Sequence, residues 1–288
     1  MATTAAPLDG KTLSLKIKEK IKTEVETLVL SGRRRPKLAV VLVGENPASK
    51  IYVKNKVADC LQTGIESREV IFPETIDTPT LLAAITKLNA DENVDGILVQ
   101  LPLPAHIREK AILSAVSPSK DVDSFHPENA GKVFAGSPVF SPCTPAGIIA
   151  LLDEYQIPIA GKNCVVAGRS NIVGKPMAML LLARDATVTI CHSKTIDLAF
   201  HTKNADIVVS AVGKLNLIDG SMLKPGAVIV DVGMNRFEGK LYGDCNFESC
   251  AKVASYITPV PGGVGPMTRA MLLKNTMKAY YNSKNKQN

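Results

Sequence analysis

Short apolar runs rich in β-branched residues recur along this chain, each followed by a segment of helical length, and this alternation limits the fold more tightly than any other feature. Residues 38–43 (LAVVLV), 69–72 and 94–100 (VDGILVQ) are expected strands, with helices over 48–63, 80–89 and 107–115. Gly64 supplies a stop after the first of these helices, and the Leu-Pro-Leu-Pro run at 101–104 halts the third strand. A second series begins near Gly161. It has strands over 163–167 (NCVVA), 187–191, 206–211 and 227–232, a helix over 175–183 and a helix or turn at 221–223. Such alternation requires parallel sheets with right-handed crossovers. The fold class is therefore α/β, in two blocks at about 36–145 and 160–260 joined by a helix over 146–154. A final amphipathic helix over 267–281 can pack back on the first block, and the polar tail 283–288 is expected to fray.

The chain has 288 residues, 45% of them hydrophobic, enough to fill two cores. No apolar run reaches the roughly 20 residues that span a bilayer. The first ten residues lack a basic-then-apolar pattern, so no secretory signal is expected. None of the six cysteines forms a Cys-x-x-Cys pair. Cys164 and Cys191 sit in apolar runs and read as buried thiols, and Cys245 with Cys250 makes no metal site by spacing. A reduced, cytoplasmic chain with no metal is the expectation. The net charge of +7 allows three readings: a solvated lysine-rich surface, a nucleic-acid partner or an acidic small substrate. Aromatics at 5%, with no Trp and none interleaved with Arg, argue against a base-stacking platform. The run Arg33-Arg34-Arg35 reads as a loop before a strand.

The strand at 163–167 enters Gly168-Arg169-Ser170-Asn171-Ile172-Val173-Gly174-Lys175-Pro176. Glycines at a strand end let backbone N–H groups approach phosphate, and a helix N-terminus favours negative charge. The spacing matches neither Gly-x-Gly-x-x-Gly nor a Walker loop, so a dinucleotide cradle and a tight strand-to-helix turn both stand. After the next strand comes Cys191-His192-Ser193-Lys194-Thr195, without the acid that would hold free ribose hydroxyls. Arg169, Ser193 and Lys194 suit a 2′-phosphate instead, which favours NADP; His192 reads equally as an ordinary loop histidine.

In the first block, Tyr52 and Lys56 share a helix face, Gln100 ends a strand and Lys120-Asp121-Val122-Asp123 follows a helix. Ligands of open α/β sheets sit beyond strand carboxyl ends, where these groups could converge. By themselves, a Tyr–Lys pair is commonly a surface pair, and the aspartates would pass as a loop or a cap.

Seven segments in order carry a resemblance over nearly the whole chain. They are Tyr52-Val53-Lys54-Asn55-Lys56, Gln100 to Pro104, Lys120 to Asp123, Pro142-Cys143-Thr144-Pro145-Ala146-Gly147, Gly168 to Pro176, Cys191-His192-Ser193, and Thr258-Pro259-Val260-Pro261-Gly262-Gly263-Val264-Gly265-Pro266-Met267-Thr268. Together they resemble the bifunctional methylenetetrahydrofolate dehydrogenase/methenyltetrahydrofolate cyclohydrolase family. The resemblance implies a parallel-sheet catalytic domain at 1–147 plus 267–288, a Rossmann-like NADP-binding domain at 148–266 and a cleft between them. It implies Lys56 as the central catalytic residue, Gln100 to orient it and Tyr52 over the folate. It also implies Asp123 on the pterin, Pro261 and Gly262 in the folate loop, and Gly168, Arg169, Ser170, Gly174 and Ser193 on NADP. It further implies a homodimer acting on tetrahydrofolate derivatives with polyglutamate tails, in one-carbon metabolism and purine biosynthesis, with no nucleic-acid or membrane partner. Three positions depart from the family pattern: Ser124 for a usual Gly, Asn246 for a usual acid and Arg269 for a usual apolar residue.

Overall fold

The computed structural model describes residues 5–284. In chain order the elements are β1 (Ala6–Pro7), α1 (Gly10–Leu30), β2 (Lys37–Val43), α2 (Pro47–Thr63), β3 (Glu66–Phe72), α3 (Thr78–Ala90), β4 (Gly96–Val99), α4 (Glu109–Ala115), α5 (Pro127–Phe134) and α6 (Cys143–Glu154). Then follow β5 (Asn163–Ala167), α7 (Gly174–Leu182), β6 (Thr187–Cys191), α8 (Leu198–Thr202), β7 (Ile207–Ser210), β8 (Val228–Asp231), β9 (Asn235–Phe237), β10 (Lys240–Tyr242), α9 (Phe247–Ala251), β11 (Tyr256–Ile257) and α10 (Val264–Lys284). Of the tail 283–288 that was expected to fray, Ser283 and Lys284 are the helical end of α10, and residues 285–288 lie outside the described residues.

The chain divides into two compact units, Leu15–Cys143 with residues 269–284 and residues 5–14 with Thr144–Thr268. The extreme N-terminal segment, expected with the first block, thus groups with the second. The reason is local: β1 adds to the second block's sheet as a parallel strand, Ala6 opposite Tyr256 and Pro7 opposite Ile257. A strand of two residues ending in proline carries no periodic signal, and proline is tolerated there because the strand lies at the sheet's edge.

The first unit holds a three-stranded parallel sheet ordered β3-β2-β4. The run that identified β2 is buried from Leu38 to Val43, as a central strand covered on both faces must be. β3 is an exposed edge strand with Glu66, Arg68 and Glu69 along it, so only its apolar end was legible. Helix α1 escaped the sequence reading although Leu13, Ile21, Val25 and Leu28 recur at helical spacing and are all buried. The arginine run folds as expected into a loop. Arg34 forks onto Asp95 through bonds of 2.7 and 2.8 Å, and Arg35 Nη1 donates to the Gly64 carbonyl.

The second unit holds a six-stranded sheet ordered β1-β11-β8-β7-β5-β6, parallel throughout, and a separate β9–β10 hairpin. β7 and β8 are buried along their whole length, whereas β6 is an edge strand. All six cysteines are free and buried, in agreement with the expected thiols. No helix among the described residues is long and apolar enough to cross a membrane.

Candidate active site

In the first unit, β2 pairs with β3 on one side and β4 on the other, so its carboxyl end is the point where the strand order switches direction. Helix α2 starts just beyond it. Asn46 caps α2 by accepting from the Ala48 and Ser49 amides, Pro47 suits the first turn, and Gly64 at φ 76° closes the far end. Lys56 lies in the middle of this helix, half-buried, one turn beyond the half-buried Tyr52. Its Nζ donates to Gln100 Oε1 at 3.0 Å. Gln100, directly after β4, is 9% exposed. Its backbone N–H donates to Val41 O, and its Nε2 donates to Leu101 O at 2.6 Å. The amide is therefore oriented with its oxygen toward Lys56. A lysine can donate to that oxygen whether protonated or neutral, so Gln100 fixes the amine's position without dictating its charge.

The Lys120–Asp123 segment runs beside β4: Ile97 N donates to Lys120 O, and Ile97 and Asp121 form a parallel bridge. Lys120 Nζ donates to the carbonyls of Leu88, Asn89 and Asp91, satisfying the end of α3. Asp121 accepts from the Phe125 and His126 amides and from Asn129 Nδ2. These two residues are structural anchors, and between them they set out Asp123, which is half-buried. Burial pushes the Asp123 carboxyl above its ordinary value, while the Lys56 charge and the Cys143 thiol pull it back down. The same burial, helped by the Asp123 charge, holds the Cys143 thiol well up and protonated.

The three departures from the family pattern each find a place. Ser124 has φ 62°, the left-handed conformation that glycine adopts freely and that costs other residues about 1–2 kcal/mol. Its buried Oγ donates to the Phe140 carbonyl at 2.9 Å. Asn246 is the cap of α9, its Oδ1 accepting from Ser249 N, so no acid is needed there. Arg269 Nη1 stands 2.9 Å from Asp59 Oδ2, and the same nitrogen reaches the Asn55 carbonyl at 3.4 Å, on the helix that carries Lys56.

In the second unit, β5 has β6 on one side and β7 on the other, so its carboxyl end is again a switch point. The loop from Gly168 to Gly174 begins there. Gly168 has φ 127°, and a Cβ on it would come within 2.4 Å of Ala211 O. A Cβ on Gly174 would meet Gly168 O at 2.2 Å. Both positions accept glycine alone, which brings the loop, the helix α7 and the exit of β7 into close contact. Ser170 Oγ accepts from the Val173 and Gly174 amides and so shapes the turn. Arg169 and Ser193 are exposed. Arg169 has no ion-pair or hydrogen-bond partner among the described residues. His192 Nδ1 accepts from Lys194 N at 3.2 Å, which makes it a turn former. A glycine-specified loop at a switch point, with an uncommitted guanidinium and no acid on the next strand's exit, fits a phosphorylated dinucleotide. Pro261 and Gly262 belong to this unit, in a loop tied by Lys11 N donating to Gly262 O and Gly263 N to Pro259 O.

Asp244 was not among the expected site residues. This residue is fully buried, and its carboxylate accepts from the amides of Val212, Gly213 and Lys214, from Ser210 Oγ and from Asn235 Nδ2. It shapes the loop after β7, next to Gly168. Asp231 likewise accepts from three amides, those of Gly233, Asp244 and Cys245. Burial raises its carboxyl and those donors oppose the rise. Asp231 also lines a cavity of about 610 Å³ with Phe237, Tyr242, Phe247 and Val260, which contains none of the expected site residues. No cluster of metal-ligating side chains occurs among the described residues.

Two family models match. Residues 8–123 match the catalytic domain of tetrahydrofolate dehydrogenase/cyclohydrolase, and residues 142–284 its NAD(P)-binding domain. The chain is 58% identical over 276 residues to the bifunctional protein FolD of Acetivibrio thermocellus, covering 96% of each. It is 51% identical, at a TM-score of 0.94, to the solved bifunctional methylenetetrahydrofolate dehydrogenase/cyclohydrolase of Campylobacter jejuni, covering 98% of this chain and 99% of that one. A Trypanosoma brucei enzyme of the same description, solved with NADP and an inhibitor, is 38% identical at a TM-score of 0.94, with 98% and 99% covered.

Proposed function

This chain belongs to the tetrahydrofolate dehydrogenase/cyclohydrolase family, and we propose that its two units divide the work of two consecutive reactions. It is an NADP-dependent methylenetetrahydrofolate dehydrogenase and methenyltetrahydrofolate cyclohydrolase of one-carbon metabolism. It oxidises 5,10-methylenetetrahydrofolate to the methenyl cation and hydrolyses that to 10-formyltetrahydrofolate. When bound, NADP supplies the hydride acceptor.

The chain's own residues do the rest. Asp123 binds the pterin's amino and ring N–H groups with charge-assisted hydrogen bonds. Tyr52 packs over the folate beside the reacting carbon, and Pro261 and Gly262 help form the folate site. Gly168, Ser170 and Gly174 shape the nucleotide loop, and Arg169 and Ser193 take the 2′-phosphate. Hydride transfer needs alignment above all. Ring opening needs more: water must attack the cationic carbon and protons must move. Lys56 takes a proton from the attacking water and returns it to the departing nitrogen. The single observation that carries this reading is the 3.0 Å bond from Lys56 to the oriented Gln100 amide. Tyr52, Lys56, Gln100 and Asp123 are taken to belong to a catalytic domain at 1–147 plus 267–288, and Pro261, Gly262 and the nucleotide residues to a domain at 148–266.

The same reading makes the enzyme a cytoplasmic homodimer that takes polyglutamylated folates and feeds purine biosynthesis. Six free buried thiols suit a reducing compartment. The +7 charge suits an acidic glutamate tail. The primary experiment offers methylenetetrahydrofolate with NADP, and separately with NAD, and follows the methenyl chromophore. Turnover with neither sinks the assignment.

Two variants test the binding roles. Arg169→Ala should lose about tenfold or more in NADP affinity, the range of a charge-assisted bond worth about 1.5–3 kcal/mol, with far less effect on residual NAD use. Equal losses with both cofactors would remove the 2′-phosphate from Arg169. Asp123→Ala should weaken tetrahydrofolate binding by about 1.5–3 kcal/mol and leave NADP binding unchanged. A calorimetric titration reads both, and unaltered folate affinity would take Asp123 out of the site.

A further inference from the structure

Asp123 sits between two neighbours that are almost wholly buried, Val122 at 0% and Ser124 at 2% exposure. Each neighbour is fastened to one remote stretch of chain, Phe140 to Cys143. On one side, Asn275 Nδ2 donates to Val122 O at 2.8 Å and to Ser141 O at 3.0 Å, stitching the two segments together. The Cys143 thiol adds a second donor to Val122 O at 3.4 Å. On the other side, Ser124 Oγ reaches the Phe140 carbonyl at 2.9 Å.

We propose that Asn275 and Ser124 are positioning residues, a two-sided clamp that holds the Asp123 carboxylate in register for the flat edge of the pterin. The inference rests on the assignment of Asp123 to the substrate. A carboxylate accepting two parallel N–H bonds tolerates little displacement, because both bonds must stay aligned at once. Neither clamp residue touches the carboxylate. Each acts through the peptide unit beside it. Asn275 lies on α10, 153 residues from Val122, and supplies buried donors to two otherwise distant carbonyls. Ser124 does what glycine could not: held in a left-handed conformation that glycine adopts freely, it uses its hydroxyl as a strap.

The choice of variants separates positioning from mere stability. Ser124→Gly relieves the backbone strain while cutting the strap, two effects of similar size and opposite sign, so thermal stability changes little. Positioning nevertheless requires folate affinity to fall. Asn275→Asp keeps the shape but replaces the donors with acceptors facing carbonyls. The probe is tetrahydrofolate monoglutamate, titrated by calorimetry alongside NADP, with Asp123→Ala as reference. We expect Ser124→Gly to raise the tetrahydrofolate Kd about threefold to tenfold with Tm little changed, and Asn275→Asp to raise it further. NADP Kd should stay within twofold, and KM for methylenetetrahydrofolate should move more than kcat. Wild-type folate affinity in Ser124→Gly overturns the clamp even if Asn275→Asp fails to fold. If Asp123→Ala lowers affinity and Ser124→Gly does not, the clamp alone is wrong. If Asp123→Ala is also silent, the substrate role of Asp123 and the clamp fall together.

Discussion

Replacing Lys56 by Gln should reduce hydrolysis of added methenyltetrahydrofolate by about a hundredfold to ten-thousandfold, the usual worth of general acid–base help, with a much smaller loss in the dehydrogenase step. The two reactions ask different things of this side chain. The hydride leaves a carbon that becomes cationic without any proton being moved, so the oxidation needs the folate and the nicotinamide aligned. Ring opening moves a proton from water and another to nitrogen, and only a titratable group within reach can carry them. Glutamine keeps comparable length and a hydrogen-bond donor for Gln100 Oε1, which Lys56 meets at 3.0 Å, but it has no proton to exchange. Methenyltetrahydrofolate should therefore accumulate when methylenetetrahydrofolate and NADP are supplied. Hydrolysis at the wild-type rate by a folded, folate-binding variant would remove Lys56 from the chemistry.

The second large effect is on stability. Asp59 and Lys18 form a salt bridge at 2.5 Å, with side chains only 7% and 6% exposed, and it ties α2 to α1. Arg269 faces the other carboxylate oxygen from a more open position, 26% exposed. Asp59 Oδ2 has no well-aligned hydrogen bond, so Arg269 acts on it chiefly as a charge. Removing one partner of a buried pair strands the other charge, which typically costs about 3–5 kcal/mol. Asp59→Asn should therefore lower the urea midpoint of this unit sharply, while Arg269→Ala, which leaves the buried pair intact, should cost much less. The double variant Lys18→Met with Asp59→Leu should recover most of the loss, because an apolar pair carries no stranded charge. Equal, small losses for all three would mean the pair is solvated and of little weight.

Some of this was readable without coordinates, and the reason is periodicity. β5 and β6 fall where the apolar runs put them, because each run is bounded by glycine or polar residues and long enough to declare itself. Edge strands were harder. β3 begins at Glu66, three residues before its expected start, in a charged stretch that can pair because one face needs no burial. β1 and β11, two residues each, have no period at all and exist only because a neighbouring strand offers its open edge. The motifs that carry the family resemblance were legible as strings, and they named Lys56, Gln100 and Asp123.

The sequence by itself determined the class of fold, two α/β blocks, and the family, because hydrophobic alternation is a local property and the motifs are contiguous. The tertiary structure alone decided what holds the functional groups in place. Lys56 meets Gln100 across 44 residues, and Asn275 bonds Val122 across 153. Asp244 gathers three amides from some thirty residues away. Side-chain hydrogen bonds act over about 3 Å of space and leave no periodic trace along the chain. Which polar residue finds which partner is fixed only once the apolar segments have packed and brought distant parts of the chain together.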